Sequence, residues 1–462
     1  MKYTERGAEE VKIAYIGGGS RGWAWGLMSD LAENADMFGD VYLYDIDYEA
    51  AQHNEIIGNK FNDLKESKST WNYKAVKTID EALTGADFVV VSILPGTFDE
   101  MESDVHTPEK YGIYQSVGDS TGPGGVIRAL RTMPMMEEIA LAVKKNCPKA
   151  WVINYTNPMA LCVKAMYDAF PEIKAFGCCH EVFGAQAIIA AALLDFEGVE
   201  VRDRKDIKVD VIGVNHFTWI TKAHYKNRDV FPLYAKYAEK YMDIGVQKKD
   251  DNWFNYVFDC SQRVKFDLYK KYGYFAAAGD RHLAEFCPGK WYLESPERVK
   301  EMGFGLTAVS WRKSDLQNRL ARSKRLLSGE EQVKIENTGE DGVNQMRALL
   351  GLCPLISNIN IPNVGQIRNL PLGAIVETNA IFVDDDVTPV FAGDLPQGVY
   401  SLVARNVDNQ LLIARSHKEK DLKYAFEAFC ADPLTTCNPA DAKKLFDEMI
   451  DNTKHYLGRY FK

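Results

Sequence analysis

The chain has 462 residues, 46% of them hydrophobic, and its 55 basic and 65 acidic side chains leave a net charge of −10. That length predicts two domains with a full core, and the acidic balance argues against a nucleic-acid or polyanion binder. No apolar run reaches the ~20 residues of a membrane span, and the charged start MKYTERGAEE has no apolar signal segment.

In chain order, strands are expected at Val11–Ile16, Val41–Ile46, Tyr73–Thr78, Asp87–Leu94, Trp151–Thr156 and Ile173–Cys178. Amphipathic helices are expected over Val126–Asn146 and Met159–Phe170. Such alternation predicts a parallel sheet wrapped by helices. A further apolar run, Val209–Val214, leads into NHFTWI. Residues 230–330 then read mainly as helix, Gly365–Val383 and Val390–Leu395 as strand, and Leu402–Phe429 and Ala440–Tyr460 as helix. The expected class is α/β: a Rossmann-like, doubly wound parallel sheet over 1–205, then a mixed α+β catalytic domain over 206–462. The division is placed in the charged VRDRKD segment. Nine scattered cysteines without framework spacing predict free thiols in a reducing, cytoplasmic compartment.

Gly17-Gly18-Gly19-Ser20-Arg21-Gly22 fits G-x-G-x-x-G, after an apolar strand and before an amphipathic helix. Gly17 would permit the tight turn and Gly19 the close approach of a pyrophosphate, with Ser20 and Gly22 leading into the helix N-terminus. Asp45 ends the next strand and is placed to accept from a ribose, which favours NAD over NADP, although Arg21 lies near. Ser92, ending the fourth strand, should line the same cleft.

In WVINYTNPMAL, Asn157 and Pro158 suit an N-cap and the first helical position. Asn154 and Asn157 also sit at a strand's carboxyl end, where cofactor and substrate should meet. The sheet with its Asn-Pro turn resembles that of lactate and malate dehydrogenases. Cys178, Cys179 and His180 follow the next strand; alternation predicts one cysteine buried and the other exposed, with Cys178 the buried one. Cys179 and His216 of GVNHFTW could together hold a divalent ion and leave positions open for substrate oxygens. By softness that pair suits zinc better than manganese.

Six segments carry a resemblance over essentially the whole chain: GGGSRG at the start, GPGG at 122–125, NYTNP at 154–158, CHEV at 179–182, NHFTW at 215–219 and NVGQIRNLP at 363–371. They resemble glycoside hydrolase family 4, the NAD-dependent glycosidases, which depart from the two-carboxylate scheme of most glycosidases. CHEV, ILPGTFDEM and AAGDRHLAEF resemble the α-galacturonidase subgroup. The resemblance implies redox-elimination-addition: bound NAD takes hydride from sugar C3, a divalent metal (Mn2+ in the family) acidifies the C2 proton, and a base removes it. The aglycone then leaves, water adds and hydride returns.

Residue by residue, the resemblance implies Cys179 and His216 as metal ligands, Asn157 as a substrate-binding residue and His180 as the acid for the leaving group. The base is expected to be Asp280, with Tyr274 or Tyr272 behind it, and Asp119 matches a carboxylate that sharpens the base. GTFDEMES lacks the arginine of the sugar-phosphate members, so a phosphorylated substrate is disfavoured. A uronate needs a cation instead: Arg281 and His282 are the first candidates, then Arg128 and Arg131. Glu181 would repel a uronate unless it faces away or orients a ligand. The expected partners are a small oligosaccharide or uronide and further copies of the chain, as a dimer or tetramer. The alternatives are an α-glucuronidase or neutral α-glycosidase of the same family, an NAD-dependent hydroxy-acid dehydrogenase, and a sensor that has lost the chemistry.

Overall fold

A computed structural model describes residues 1–246 and 260–461. Its strands are β1 (Lys2–Thr4), β2 (Gly7–Ile16), β3 (Met37–Tyr44), β4 (Trp71–Val76), β5 (Phe88–Val91), β6 (Trp151–Asn154) and β7 (Lys174–Gly177). Seven more follow: β8 (Ile207–Val214), β9 (Phe217–Tyr225), β10 (Arg228–Asp229), β11 (Phe275–Ala276), β12 (Leu355–Pro362), β13 (Ile375–Val383) and β14 (Asp386–Pro389). All join one sheet, with the main path β10-β9-β8-β13-β12-β7-β6-β5-β2-β3-β4.

The segment from β7 to β4 is the parallel, Rossmann-like half. Its central strands β5 and β6 are short runs, FVVV and WVIN, buried at every position, as befits strands covered on both faces. Helix Gly122–Asn146 lies against one face through Leu130, Met133 and Met136, all fully buried, each contributing about 1.5–3 kcal/mol. Helix Trp23–Glu33 packs in the core of the other face.

Register places the site. Tyr44, Ile16, Val91, Asn154 and Gly177 stand level across the sheet. The chain therefore leaves β3, β2, β5, β6 and β7 along one edge, at Asp45, Gly17, Ser92, Tyr155 and Cys178. Strand order reverses at β2, the switch point where ligands bind in such sheets.

The sheet does not stop where the sequence suggested a second domain. β12 pairs antiparallel with β7, and β13 pairs with β8, so strands from the last third of the chain lie between β7 and β8. β12, LISNINIP, escaped the sequence reading because its inward positions are polar. Val390–Leu395 is not a strand: Asp384 and Asp385 take left-handed φ of 48° and 64° and turn the chain back sooner, giving β14 at Asp386–Pro389. The expected helix Leu402–Phe429 is two helices, Gln397–Glu419 and Leu422–Ala431, broken where Lys420 takes φ of 57°. The last helix ends at Thr453. Helices Phe231–Tyr241, Arg263–Tyr272, Asp280–Phe286, Pro296–Glu301 and Val309–Ser328 match the reading of 230–330 as mainly helical; its part at 247–259 lies outside the described residues. No helix among the described residues is long and apolar enough to cross a membrane.

Candidate active site

The glycine loop is shaped by close approach. Gly17 has φ of 97°, and a Cβ there would lie 2.0 Å from the Ser92 carbonyl oxygen. A Cβ on Gly19 would meet Ala50 at 2.7 Å and Asp45 at 2.9 Å. Asp45 accepts from the Gly19 N–H at 2.8 Å and the Asp47 N–H at 2.9 Å, which fixes its carboxylate beside the loop. Ser20 N–H donates to Gly17 O at 3.0 Å. Helix Trp23–Glu33 starts at Gly22 with no side-chain cap and no acid in its first turn, so its first N–H groups are left for an anion. Arg21 leans on Asp47 at 3.7 Å. Asn154 is corrected: it is fully buried. Its carboxamide donates to Thr156 O at 2.9 Å and accepts from Thr156 N–H at 3.2 Å. It shapes the turn rather than facing a cofactor.

Asn157 is corrected as a helix cap. The Asn157–Pro158 bond is cis, and Pro158 occupies the cap of helix Met159–Ala169. The Asn157 carboxamide donates from Nδ2 to Asp119 Oδ2 at 3.2 Å, while its Oδ1 is buried without a partner among the described residues. The Arg128 Nε–H donates to the Asn157 carbonyl at 3.1 Å. Asp119 also accepts from Ser120 Oγ at 2.7 Å, and that oxygen lies 3.2 Å from His216 Nδ1. Burial would push the Asp119 carboxyl up, yet His216, His282 and Arg128 hold it below its ordinary value.

His216 heads the turn between β8 and β9 at φ of 63°, an uncommon conformation for a non-glycine residue. Burial, then the neighbouring His282, pushes its pKa down to about 3, so the imidazole is neutral. The His216 and His282 rings stand 3.7 Å apart at a tilt of 34°. Asp119, His216 and His282 each offer a ligand atom, all within 4.8 Å of one another.

Cys179 stands outside that group of three. Both Cys178 and Cys179 are buried, which corrects the expectation of one exposed thiol. β12 and β13 supply the cover: Asn358 Nδ2 donates to Cys179 O at 3.1 Å and to Glu377 Oε1 at 2.6 Å. Burial, then Glu377 and Glu181, pushes the Cys179 thiol well above its ordinary range. His180 is exposed, with Nδ1 2.9 Å from Glu340 Oε1. Glu181 is settled by geometry: one oxygen accepts from the Gly279 N–H at 2.8 Å and the other lies 3.4 Å from His282 Nε2. Burial alone would raise its pKa, but His282, His216, His180 and the Gly279 N–H hold it down at about 2. It orients an imidazole.

The expected bases lie in three different settings, and Asp280 keeps a buried Oδ2 with no partner among the described residues and a pKa that burial pushes up to about 6. Asp280 is fully buried and accepts from the Lys265 N–H at 3.1 Å, at the amino end of helix Arg263–Tyr272. Tyr274 precedes Phe275, which pairs with Ile220. It therefore falls beside Thr221, just outside the two residues of β11. Tyr272 packs edge-on against Trp219. Two of the expected uronate cations are also corrected. Arg281 donates to Ser116 O at 2.6 Å, Thr307 Oγ1 at 2.7 Å and Gly305 O at 3.2 Å, pinning two loops. Arg131 is buried in a two-point pair with Asp104. His282 faces His216 and Glu181.

Arg128 remains beside Asn157 and Asp119. Sequence reasoning missed Ser120, Glu340, Asn358, Glu377 and Arg312, whose field also acts on Arg281. Asn358 and Glu377 left a signal, as polar residues at inward positions of apolar strands. Glu285, three residues after His282, accepts from the Val117 and Gly118 N–H groups at 2.8 and 2.9 Å. One short helix thus supplies an imidazole and anchors the loop of Asp119.

Models of the family 4 glycosyl hydrolase and of its C-terminal domain match residues 12–195 and 211–435. An α-galacturonidase of Thermoanaerobacterium saccharolyticum is 58% identical over 458 residues, 99% of this chain and 98% of that protein. The crystal structure of a candidate glucosidase from Bacillus subtilis superposes with a TM-score of 0.91 at 49% identity, covering 96% of this chain and 100% of its own. A 6-phospho-α-glucosidase from gut microorganisms, solved with NAD and Mn2+, shares the fold at 19% identity and a TM-score of 0.79, over 97% of this chain and 99% of its own. The motifs, the sheet and both halves agree, and the chain belongs to family 4 of the glycosyl hydrolases.

Proposed function

We propose that the chain is an NAD- and divalent-metal-dependent α-galacturonidase acting on short α-galacturonides by redox-elimination-addition. The observation that carries this reading is convergence: the glycine loop and a cluster of metal-ligating side chains open onto one sheet edge. The substrate class follows the full-length relative at 58% identity, named an α-galacturonidase.

The residues fit both groups. For a dinucleotide, the uncapped, acid-free start of helix Trp23–Glu33 suits a pyrophosphate, and Asp45, held beside the glycine loop, would accept from a ribose. For a divalent ion, His216 is neutral, and the buried His282 Nδ1 and Asn157 Oδ1 have no partner among the described residues. By family resemblance His216 and Cys179 would hold the ion. When bound, NAD supplies a reversible hydride acceptor and the divalent ion an electrophile for the sugar oxygens.

The chain's own residues do the rest. Asn157 Oδ1 accepts from a sugar hydroxyl while Nδ2 stays on Asp119. The Arg128 guanidinium, fixed through Nε, offers its other N–H groups to a carboxylate. His180, exposed beside Glu340, gives its proton to the departing group. We also read the chain as cytoplasmic and homo-oligomeric. Nine free cysteines support the first. Exposed Ile356 and Ile381, paired across β12 and β13, support the second.

One panel tests the function: para-nitrophenyl α-galacturonide, α-glucuronide, α-galactoside and α-glucoside with NAD, Mn2+ and reductant. The galacturonide is expected to be hydrolysed fastest, without NADH accumulating in step with product. Preference for another glycoside overturns the substrate, and stoichiometric NADH overturns the reaction class.

A further inference from the structure

We propose that Glu340 is a positioning residue for the leaving-group acid: it holds His180 at Nδ1, so that Nε2 is the nitrogen offered to the glycosidic oxygen. This rests on the acid role of His180 in the proposed reaction and deepens it.

The pair joins two distant parts of the chain. His180 stands at the start of helix Glu181–Glu197, and Glu340 lies two residues before helix Gly342–Leu349. His180 Nδ1 is 2.9 Å from Glu340 Oε1. A carboxylate only accepts, so the proton of that contact sits on Nδ1. The ring is thereby held at one nitrogen and leaves the other to the substrate. Exposure divides the pair in the same sense: the Glu340 side chain is 18% exposed and that of His180 53%. Trp23 flanks the imidazole, with ring centroids 6.4 Å apart, and Tyr155 backs Trp23 at 5.4 Å.

Glu340 is itself fixed from both sides. Its N–H donates to Thr338 Oγ1 at 3.1 Å, and Thr338 is bonded to Asp30 of helix Trp23–Glu33. On the other side, Asp341 accepts from Ser357 Oγ at 2.9 Å and from Arg204 at 3.0 Å. A carboxylate anchored in this way keeps an imidazole in one orientation and one tautomer, which proton transfer requires. As the C1–O bond breaks, its electron pair passes to the leaving oxygen. That oxygen takes the Nε2 proton, and Nδ1 keeps its own against Glu340.

The test uses the full-length enzyme with NAD, Mn2+ and reductant. It compares kcat/KM on a digalacturonide, whose leaving oxygen needs a proton, with that on para-nitrophenyl α-galacturonide, whose phenolate does not. Glu340→Ala removes the acceptor. Glu340→Gln keeps the shape, but an amide donates as well as accepts, so it no longer commits Nδ1 to donating. Both are expected to lose roughly 10–100-fold on the digalacturonide, part of what a placed general acid contributes. Both should stay near the parent on the nitrophenyl substrate and in NAD affinity by calorimetry. Adding Glu340→Gln to His180→Asn should cost nothing further, since Glu340 acts through His180. Equal losses on the two substrates, no loss on either, or additive losses in the double variant would each overturn the proposal. If His180→Asn shows the selective loss and the Glu340 variants do not, the acid role stands and only the role of Glu340 falls. If His180→Asn loses equally on both substrates, the acid role falls and the role of Glu340 with it. Glu340→Gln decides the matter should Glu340→Ala fail to fold.

Discussion

At the scale of single residues, His180 and His282 show how neighbours divide one residue type into two roles. His282 is enclosed between Glu181 and His216. The His180 side chain is 53% exposed, beside Glu340 and within 6.4 Å of the Trp23 ring. A group that protonates a leaving oxygen must reach solvent and substrate alike, which suits His180. Replacing His180 by Asn should therefore cost far more kcat/KM on a digalacturonide than on para-nitrophenyl α-galacturonide, whose phenolate leaves without a proton. Equal losses on both would remove the acid role. The sequence marked His180, His216 and Asn157 because motif spacing carries them. It offered Arg131 and Arg281 as substrate cations, and both are paired inside the protein, because a buried charge and a reactive one look alike until their partners are known. Ser120 and Glu340 gave no signal, since each acts through a residue distant in the chain.

Among elements, helix Trp23–Glu33 matters most, since it follows directly on the glycine loop. It is clasped by the segment after helix Val309–Ser328. Ser29 Oγ donates to Glu336 O at 2.9 Å and accepts from the Glu336 N–H at 2.7 Å. Asp30 accepts from the Thr338 N–H at 3.1 Å and from its hydroxyl at 2.5 Å. Burial, against those hydrogen bonds, pushes the Asp30 pKa up from 3.8 to about 6. A carboxyl raised in the folded state binds more protons there than in the unfolded chain between those two values. Stability from this group is thus present below about pH 4 and is lost as pH rises through about 6. Asp30→Asn should flatten that part of the stability–pH curve, read by urea unfolding at pH values on either side of the window. A variant with the same fall as the parent would contradict the assignment. The helix itself was legible from GGGSRG and its apolar face, whereas the clasp, some 300 residues later in the chain, was not.

For the whole molecule, the decisive fact is where β12 and β13 go. Local alternation of strands and helices made the parallel half readable in order, because most strands there pair with the next in sequence, β2 with β3, β3 with β4, β5 with β6 and β6 with β7. The other half was not readable in that way: its central strands return from the last third of the chain to lie between β7 and β8. Periodicity reports which face of a strand is buried and nothing about which strand lies beside it. The insertion also ties the halves by side chains. Asp385 accepts from Trp151 Nε1 and from Lys174 Nζ, both at 2.7 Å, and Arg204 donates to Asp341 at 3.0 Å. The core around Phe176 and Cys178 is completed by Ile359, Ala380 and Phe382. We propose that the segments 1–205 and 206–462 fold as one cooperative unit. The fragment 1–205, made alone, would expose the β7 edge and half of that core, and it should lack a cooperative urea transition. In the full chain, far-ultraviolet and near-ultraviolet circular dichroism should report one coincident transition. Two separated transitions, or a fragment that unfolds cooperatively on its own, would show instead that the division near residue 205 is a boundary of stability as well as of sequence.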